Sequence, residues 1–295
     1  MAEQVTVRKT KLKKRSQMKS IWFRYKKNKL AIIGLVLLVV MIFFAVFANF
    51  IVSYETDAIS QNMKIRLMPP NIGHIFGTDR FGRDVFARII FGARVSLLMG
   101  LATVALSLTA GAIIGATAGY YGGKVDNVLM RIMDVFLAIP GLLMGITVVA
   151  ALGPGIENLL IALIMIRIPR FARVVRSAVL SIKFQEFIEA AKACGTKDSR
   201  IIARHILPNA IGPIIVQATL NMATSILGIA ALSFIGLGIQ PPMPEWGLML
   251  SDAKSQMRYY PYLIVTPGIA IVLAVLSFNL IGDGLRDALD PRLKS

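Results

Sequence analysis

The chain reads as an all-α polytopic membrane protein with six transmembrane helices. Three observations predict this. Hydrophobic residues fill 56% of the 295 positions, against about 45–50% in an ordinary soluble domain. Uncharged apolar runs, several of them near the about 20 residues that span a bilayer core, recur along the chain. Lys and Arg are concentrated in alternate connecting segments, as the positive-inside rule requires. The same asymmetry accounts for the formal charge of +17. No zinc-finger spacing, RNA-recognition signature or aromatic platform accompanies that charge, so no nucleic-acid partner is expected. One cysteine, Cys194, leaves no intrachain disulfide and no cysteine-cluster metal site.

Residues 1–29 hold eleven Lys and Arg and one acid, Glu3, and 23 uncharged residues, Leu30 to Val52, follow. That run exceeds the about 7–15 apolar residues of a cleaved signal peptide and lacks a small-residue cleavage site, so an uncleaved signal anchor with a cytosolic N-terminus is expected. Residues 53–94 are mixed and polar. In GTDRFGRD (77–84), Asp79, Arg80, Arg83 and Asp84 suit ion pairs around two glycine bends. His74 lies near Asp79, but no second histidine joins it, and no metal site is expected.

A second uncharged run, Val95 to Tyr121, carries Gly111, Gly115 and Gly119 at four-residue spacing, one helix face on which a neighbouring helix can approach closely. The YYGGK that follows is not a phosphate loop: Ala118 stands where the first glycine should be, and Val125 replaces the Ser or Thr. No cofactor is expected in this chain. The third span runs from Arg131 or Ile132 to Gly153, kinked at Pro140-Gly141, with an Asp134–Arg131 ion pair. The fourth, Ile156 to Ile168, gives only about 20 Å of helix. It is expected to continue as a basic interfacial extension whose Arg167, Arg170, Arg173 and Arg176 snorkel to phosphates. A voltage sensor would carry such arginines within its apolar run instead of after it.

Next comes EAAKACGTKDSRIIARHILP, Glu189 to Pro208. Glu189 to Ala193 favour helix, and Gly195 can close it in the left-handed conformation. A second helix restarts with Thr196 as cap, Asp198 in the first turn and an apolar stripe of Ile201, Ile202, His205 and Ile206, and Pro208 ends it. On spacing alone this is a helical hairpin resting on a membrane surface. The fifth and sixth spans are Ala210 to Gly238 and Leu263 to Ile281, joined by an extracytoplasmic loop, residues 240–262, rich in prolines and aromatics. Gln217 and Asn221 share a face of the fifth span, with Thr224 and Ser225 a turn on, and Asn279 lies in the sixth. Interhelical hydrogen bonds or the lining of a polar solute pathway are the two readings.

In this layout, 25 of the 33 Lys and Arg fall on the cytosolic side, which places both termini and the Glu189–Pro208 stretch in the cytosol. His74 and His205, the only histidines, fall on opposite sides, so no zinc pair or Ser-His-Asp set is available. A membrane protein without an active site, carrying a structured cytosolic helix pair, suggests a transport subunit driven by a partner.

Five ordered segments carry a resemblance: FGTDRFGRDVFARIIFGARVSL (76–97), MRIMDVFLAIP (130–140), EAAKACGTKDSRIIARHILPN (189–209), SFIGLGIQPPMPEWGLML (233–250) and FNLIGDGLRDALDPRL (278–293). Together they resemble the ABC importer permeases of the dipeptide/oligopeptide/nickel family, in particular the second, C-type permease. Glu189, Ala190, Ala191, Gly195, Leu207 and Pro208 match that family's EAA motif. His205 stands where the general motif has isoleucine, as in the peptide branch. The resemblance implies a type I ABC importer permease fold with cytosolic coupling helices. Residues 1–94 would be a basic N-terminus, first transmembrane helix and outer arm, residues 95–285 the transport core with a coupling region at 182–208, and residues 286–295 a cytosolic tail.

It also implies partners: a homologous second permease, two cytosolic ATP-binding subunits and an extracytoplasmic solute-binding protein, in a bacterial or archaeal cytoplasmic membrane. ATP hydrolysis would belong to the ATP-binding chains, not to this one. Ile201 or Ile202 would be the hydrophobic anchor of the docked helix. Short peptides are the implied solute, with nickel chelates the alternative within the family. A secondary transporter or channel without ATPases is the rival class. It would need inverted repeats or a discontinuous midplane helix, and Pro140-Gly141 is its only support.

Overall fold

The computed structural model describes residues 17–289, and every regular element among them is helical. Helices α1 (Gln17–Lys27) and α2 (Lys29–Val46) are separated by Asn28, whose Oδ1 accepts from Ala31 N at 3.1 Å and caps α2. The anchor run continues to Val52 through a short turn, Ala48–Ile51. Helix α3 (Val85–Tyr121) starts ten residues before the expected Val95, so the expected boundary after residue 94 falls inside it. Two arginines in these ten added residues are tied down. Arg94 donates to Ala45 O and Val46 O at the last turn of α2, where a cation complements the helix dipole. Arg88 is buried in an ion-pair cluster described below.

The Pro140-Gly141 kink is larger than expected. Helices α4 (Gly123–Ala138) and α5 (Gly141–Leu152) meet at 88°. The residue before a proline is driven out of the α region, and Ile139 takes the extended conformation, φ −86° and ψ 125°. Helix α6 (Ile156–Ile182) runs unbroken for 27 residues, about 40 Å, so the short fourth span does continue as a basic helix. It lies along α3, and the three glycines predicted to permit close approach do so. A Cβ on Gly111 would fall 2.5 Å from Phe171 Cβ, one on Gly115 would strike the Ala172 carbonyl, and one on Gly119 would fall 2.9 Å from Val179 Cβ.

Helices α7 (Glu186–Ala193), α8 (Ile211–Phe234), α9 (Trp246–Ala253) and α10 (Tyr262–Leu289) complete the bundle. Four helices, α2, α3, α8 and α10, are long and apolar enough to cross a membrane, or five if α4 and α5 form one broken span. Six is therefore not reproduced by length and composition. Helix α6 is long enough, but its four arginines and Glu157 keep it from qualifying.

The expected charge pairs around residues 77–84 form, with partners the sequence did not indicate. Arg83 Nε donates to Asp79 at 2.6 Å and its Nη2 to Asp252 of α9 at 3.1 Å, while Arg80 binds the other Asp252 oxygen at 2.8 Å. His74 pairs with Asp84 at 2.7 Å, not with Asp79. No cluster of His, Cys, Asp or Glu among the described residues has the arrangement of a metal site. Asp134 pairs with Arg173 of α6 at 2.6 Å instead of Arg131, because α4 turns its acid toward the packed helix.

Glu245 caps α9, accepting from Gly247 N and Leu248 N at 2.8 Å each, and is 1% exposed. Burial pushes its carboxyl above the ordinary value of 4.5, while those two backbone donors act against the shift. A raised folded-state pKa contributes stability that is full below the unfolded value and lost as pH rises through the folded one. The melting midpoint of the purified complex should therefore fall as pH rises above 4.5, and Glu245→Gln should flatten that slope. A slope of unchanged size in the variant would remove Glu245 as its source.

Candidate functional site

The Glu189–Pro208 stretch folds as a helix pair, built differently in its second half from what its spacing suggests. Helix α7 ends in a Schellman motif: Gly195 N donates to Lys192 O at 2.9 Å and Thr196 N to Ala191 O at 3.1 Å. Gly195 has φ +71°, the left-handed conformation that the motif requires of its closing residue. Glu189, Ala190 and Gly195 are exposed, and Ala191 is half-buried.

Thr196 does not cap the next segment, because that segment starts at Asp198 and Thr196 lies one residue before its cap position. Lys197 occupies the cap position with no side-chain bond. Asp198 opens the turn Asp198–Arg200 as expected, and accepts from the Tyr120 hydroxyl of α3 at 2.7 Å. Pro208 sits inside a last short turn, Leu207–Asn209, which stops one residue after it at a bend at Ala210. Residues Ile201–Ile206 form a widened turn in which Leu207 N donates to Ile202 O, five residues back. Such a widened turn accommodates the missing N–H and the ring of the proline. The chain runs on through Leu207–Asn209 into α8. Leu207 is half-buried and Pro208 exposed.

Ile188, Ile201 and Ile206 are fully buried, packed with Val175, Val179 and Ile182 of α6. Ile201 is thus spent on the chain's own core and is not an exposed anchor. Ile202 stays half-buried, in an open apolar cleft of about 900 Å³ between α3 and the start of α8, with Leu207 and Pro208 at its edge. The pair is therefore a polar, exposed ridge fixed by an apolar underside to the Ile182 end of α6.

The polar residues of α8 and α10 are less connected than expected. Asn221 is 3% exposed, and its Nδ2 donates to Gln217 O at 2.8 Å. Ser225 Oγ and Thr224 Oγ1 donate to Asn221 O at 2.7 and 3.2 Å. These bonds run along one helix and not between helices. A hydroxyl or amide can reach the carbonyl one turn back more easily than a neighbouring helix. The side chains of Gln217 and Asn279 are half-buried, with no hydrogen-bond partner among the described residues.

One group was placed wrongly by sequence reasoning. Arg167 does not snorkel: it is 5% exposed, within α6, and its Nε is a buried donor with no acceptor among the described residues. The arginines at three-residue spacing do not share one environment. Arg176 makes two bonds of 2.5 Å to Asp126, Arg173 pairs with Asp134, and Arg170 is exposed. The one signal that could have found Arg167 is its position, eleven residues into an unbroken helical pattern.

Comparison with known proteins agrees with this architecture. Residues 107–295 match the family described as binding-protein-dependent transport system inner membrane component, and residues 16–70 match the N-terminal transmembrane domain of oligopeptide transport permease C. The dipeptide transport system permease protein DppC of Alkalihalophilus pseudofirmus is 52% identical over 270 residues, covering 92% of this chain and 88% of that protein. The glutathione transport system permease protein GsiD of Escherichia coli is 44% identical over 280 residues, 95% and 92% of the two chains. The MetNI methionine ABC transporter, in an inward-facing conformation, has a chain of the same fold, with TM-score 0.55 and 20% identity, covering 69% of this chain and 96% of that one. An amino acid ABC transporter solved with histidines gives TM-score 0.52 at 16% identity, over 68% and 94%. With a family match over its transport core and relatives aligned along nearly its whole length, the chain belongs to the binding-protein-dependent transport system inner membrane components, as a C-type ABC permease of the peptide branch.

Proposed function

We infer that this chain is one of two permease subunits of an ATP-driven importer for short peptides, moved by cytosolic ATPases through the Glu186–Asn209 helix pair. The observation that carries the solute class is the 52% identity, over most of both chains, to a permease named for dipeptide transport. A second relative is named for glutathione, itself a small peptide, and neither name supports a nickel chelate. A homologous permease, two ATP-binding subunits and an extracytoplasmic solute-binding protein complete the assembly, with both termini of this chain cytosolic. The coupling role rests on mechanics. Glu189, Ala190 and Gly195 form an exposed ridge, while Ile188, Ile201 and Ile206 lock its underside to α6, so a push on the ridge moves a helix that lies along α3.

Reconstituted with its partners, the complex should take up a dipeptide only with ATP and loaded binding protein. Glu189→Lys removes a surface acid available to a basic partner, and Gly195→Pro forbids φ +71° and the N–H bond to Lys192 O. Both variants should insert normally and lose uptake by at least about tenfold, the scale of a docking contact removed, while ATP hydrolysis persists. Uptake without ATP would overturn the importer reading. Full uptake in both variants would overturn the coupling role.

A further inference from the structure

The four arginines of α6 divide into two pairs. Arg173 and Arg176, toward Ile182, are neutralised by Asp134 and Asp126 of α4. Arg167 and Arg170 have no acidic partner among the described residues, and Arg167 is the buried one. It lies eleven residues from the start of α6, about 16 Å along a helix packed among helices long and apolar enough to cross a hydrocarbon core of about 30 Å. Its Nη2 lies against Gly228 of α8, 3.3 Å from where a Cβ would stand. Beside Gly228, Thr224, Leu227, Ala231 and Phe234 form an exposed face of α8 that this chain leaves uncovered. A guanidinium keeps its charge under all ordinary conditions, and at such depth an unneutralised charge is costly and marks a solute path by default. None of the described residues supplies its compensating anion.

We propose that Arg167 receives the terminal carboxylate of the peptide in transit and makes the pathway selective for cargo that bears one. This rests on the peptide-importer reading above. The planar donor fork of arginine matches a carboxylate, which it can bind through two N–H bonds. An orphaned Nε is an unused part of that fork. Dipeptides and glutathione, the solutes named for the two relatives, both carry free carboxylates. Arg173 and Arg176, each already paired with an aspartate, offer no comparable site further along α6.

The test is ATP-driven dipeptide uptake into proteoliposomes holding the complete importer, with reagent-treated wild type as the control for reaction at Cys194. Arg167→Gln should cut uptake by about ten- to a hundredfold, the value of a hydrogen bond to a charged group, and Arg167→Lys by less. Arg167→Cys should be inactive and should regain uptake after reaction with a cationic aminoethyl thiosulfonate, but not with a neutral methyl one. Undiminished uptake in the Gln variant, or equal rescue by both reagents, would overturn the proposal. So would loss of the partner permease from the purified Gln variant, which would assign the guanidinium to an acid of that subunit. Wild-type membranes that take up no peptide overturn the underlying reading as well, whereas peptide uptake insensitive to Arg167 overturns this proposal alone.

Discussion

Replacing Gly115 with leucine should prevent the importer from assembling. A Cβ at that position would strike the Ala172 carbonyl of α6, with Arg176 N 3.0 Å away, so the obstruction is backbone and no side-chain rotamer relieves it. Overpacking against side chains typically costs about 1–3 kcal/mol, and an immovable backbone puts Gly115→Leu above that range. The displaced helix is the one whose Val175, Val179 and Ile182 hold the Glu186–Asn209 pair in place. Uptake should therefore vanish together with stability. Gly268→Ala in α10 is the control: apart from its chain neighbours and its own helix backbone, no atom lies within 4 Å of the added Cβ, and it should be neutral or stabilising by up to about 1 kcal/mol through helix propensity. Fluorescence-detected size exclusion of the two variants reads the difference. A monodisperse, wild-type-like Gly115→Leu complex would contradict the packing described.

Asp252→Ala should release the outer arm. Asp252 accepts from Arg83 and Arg80 and lies 4.0 Å from Arg88 Nη2, and Arg83 and Arg88 are 2% and 1% exposed. Removing it leaves two buried guanidinium groups sharing Asp79 alone. Breaking a buried ion pair from one side costs about 3–5 kcal/mol, because the surviving charge has lost its partner while remaining desolvated. The consequence is local before it is global. Residues 77–84 are joined to α9 through this carboxylate, and Tyr262 of α10 holds the same arm by donating to Met68 O or Thr78 O at 3.0 Å. Amide hydrogen exchange across residues 62–84 should accelerate in the variant while α3 and α6 keep their protection. Unchanged exchange in the arm would show that the tyrosine contact suffices.

The helix pair shows where sequence reasoning reaches and where it stops. The end of α7 was legible because a left-handed glycine after a run of helix formers is a local matter, decided within six residues. The rest of the pair was not. Thr196 has the side chain of a cap, but the Schellman closure of α7 takes it up and the next segment starts one residue later, behind Lys197. Pro208 stands within a last turn and not at its end, because the widened turn before it accommodates the ring, and the stop falls at Ala210. Ile201 and Ile202 looked equivalent, yet one is buried against α6 and the other faces a cleft. A stripe of four apolar residues has a direction only once its neighbour is placed.

The sequence by itself determined the membrane class, the helical build, the glycine face by which α3 meets α6, the break at Pro140-Gly141 and the family. Each of these depends on composition, on a period of three or four residues, or on one residue's allowed backbone angles, and such features survive without knowledge of neighbours. Only the tertiary structure decided which charges meet. Asp134 chose Arg173 over Arg131, Asp252 closed on Arg83 from 169 positions away, and Arg167 was left buried with no acid beside it among the described residues. An ion pair forms between whatever groups the packing brings within about 4 Å. Packing of whole helices, not the spacing of residues along one of them, settles that distance.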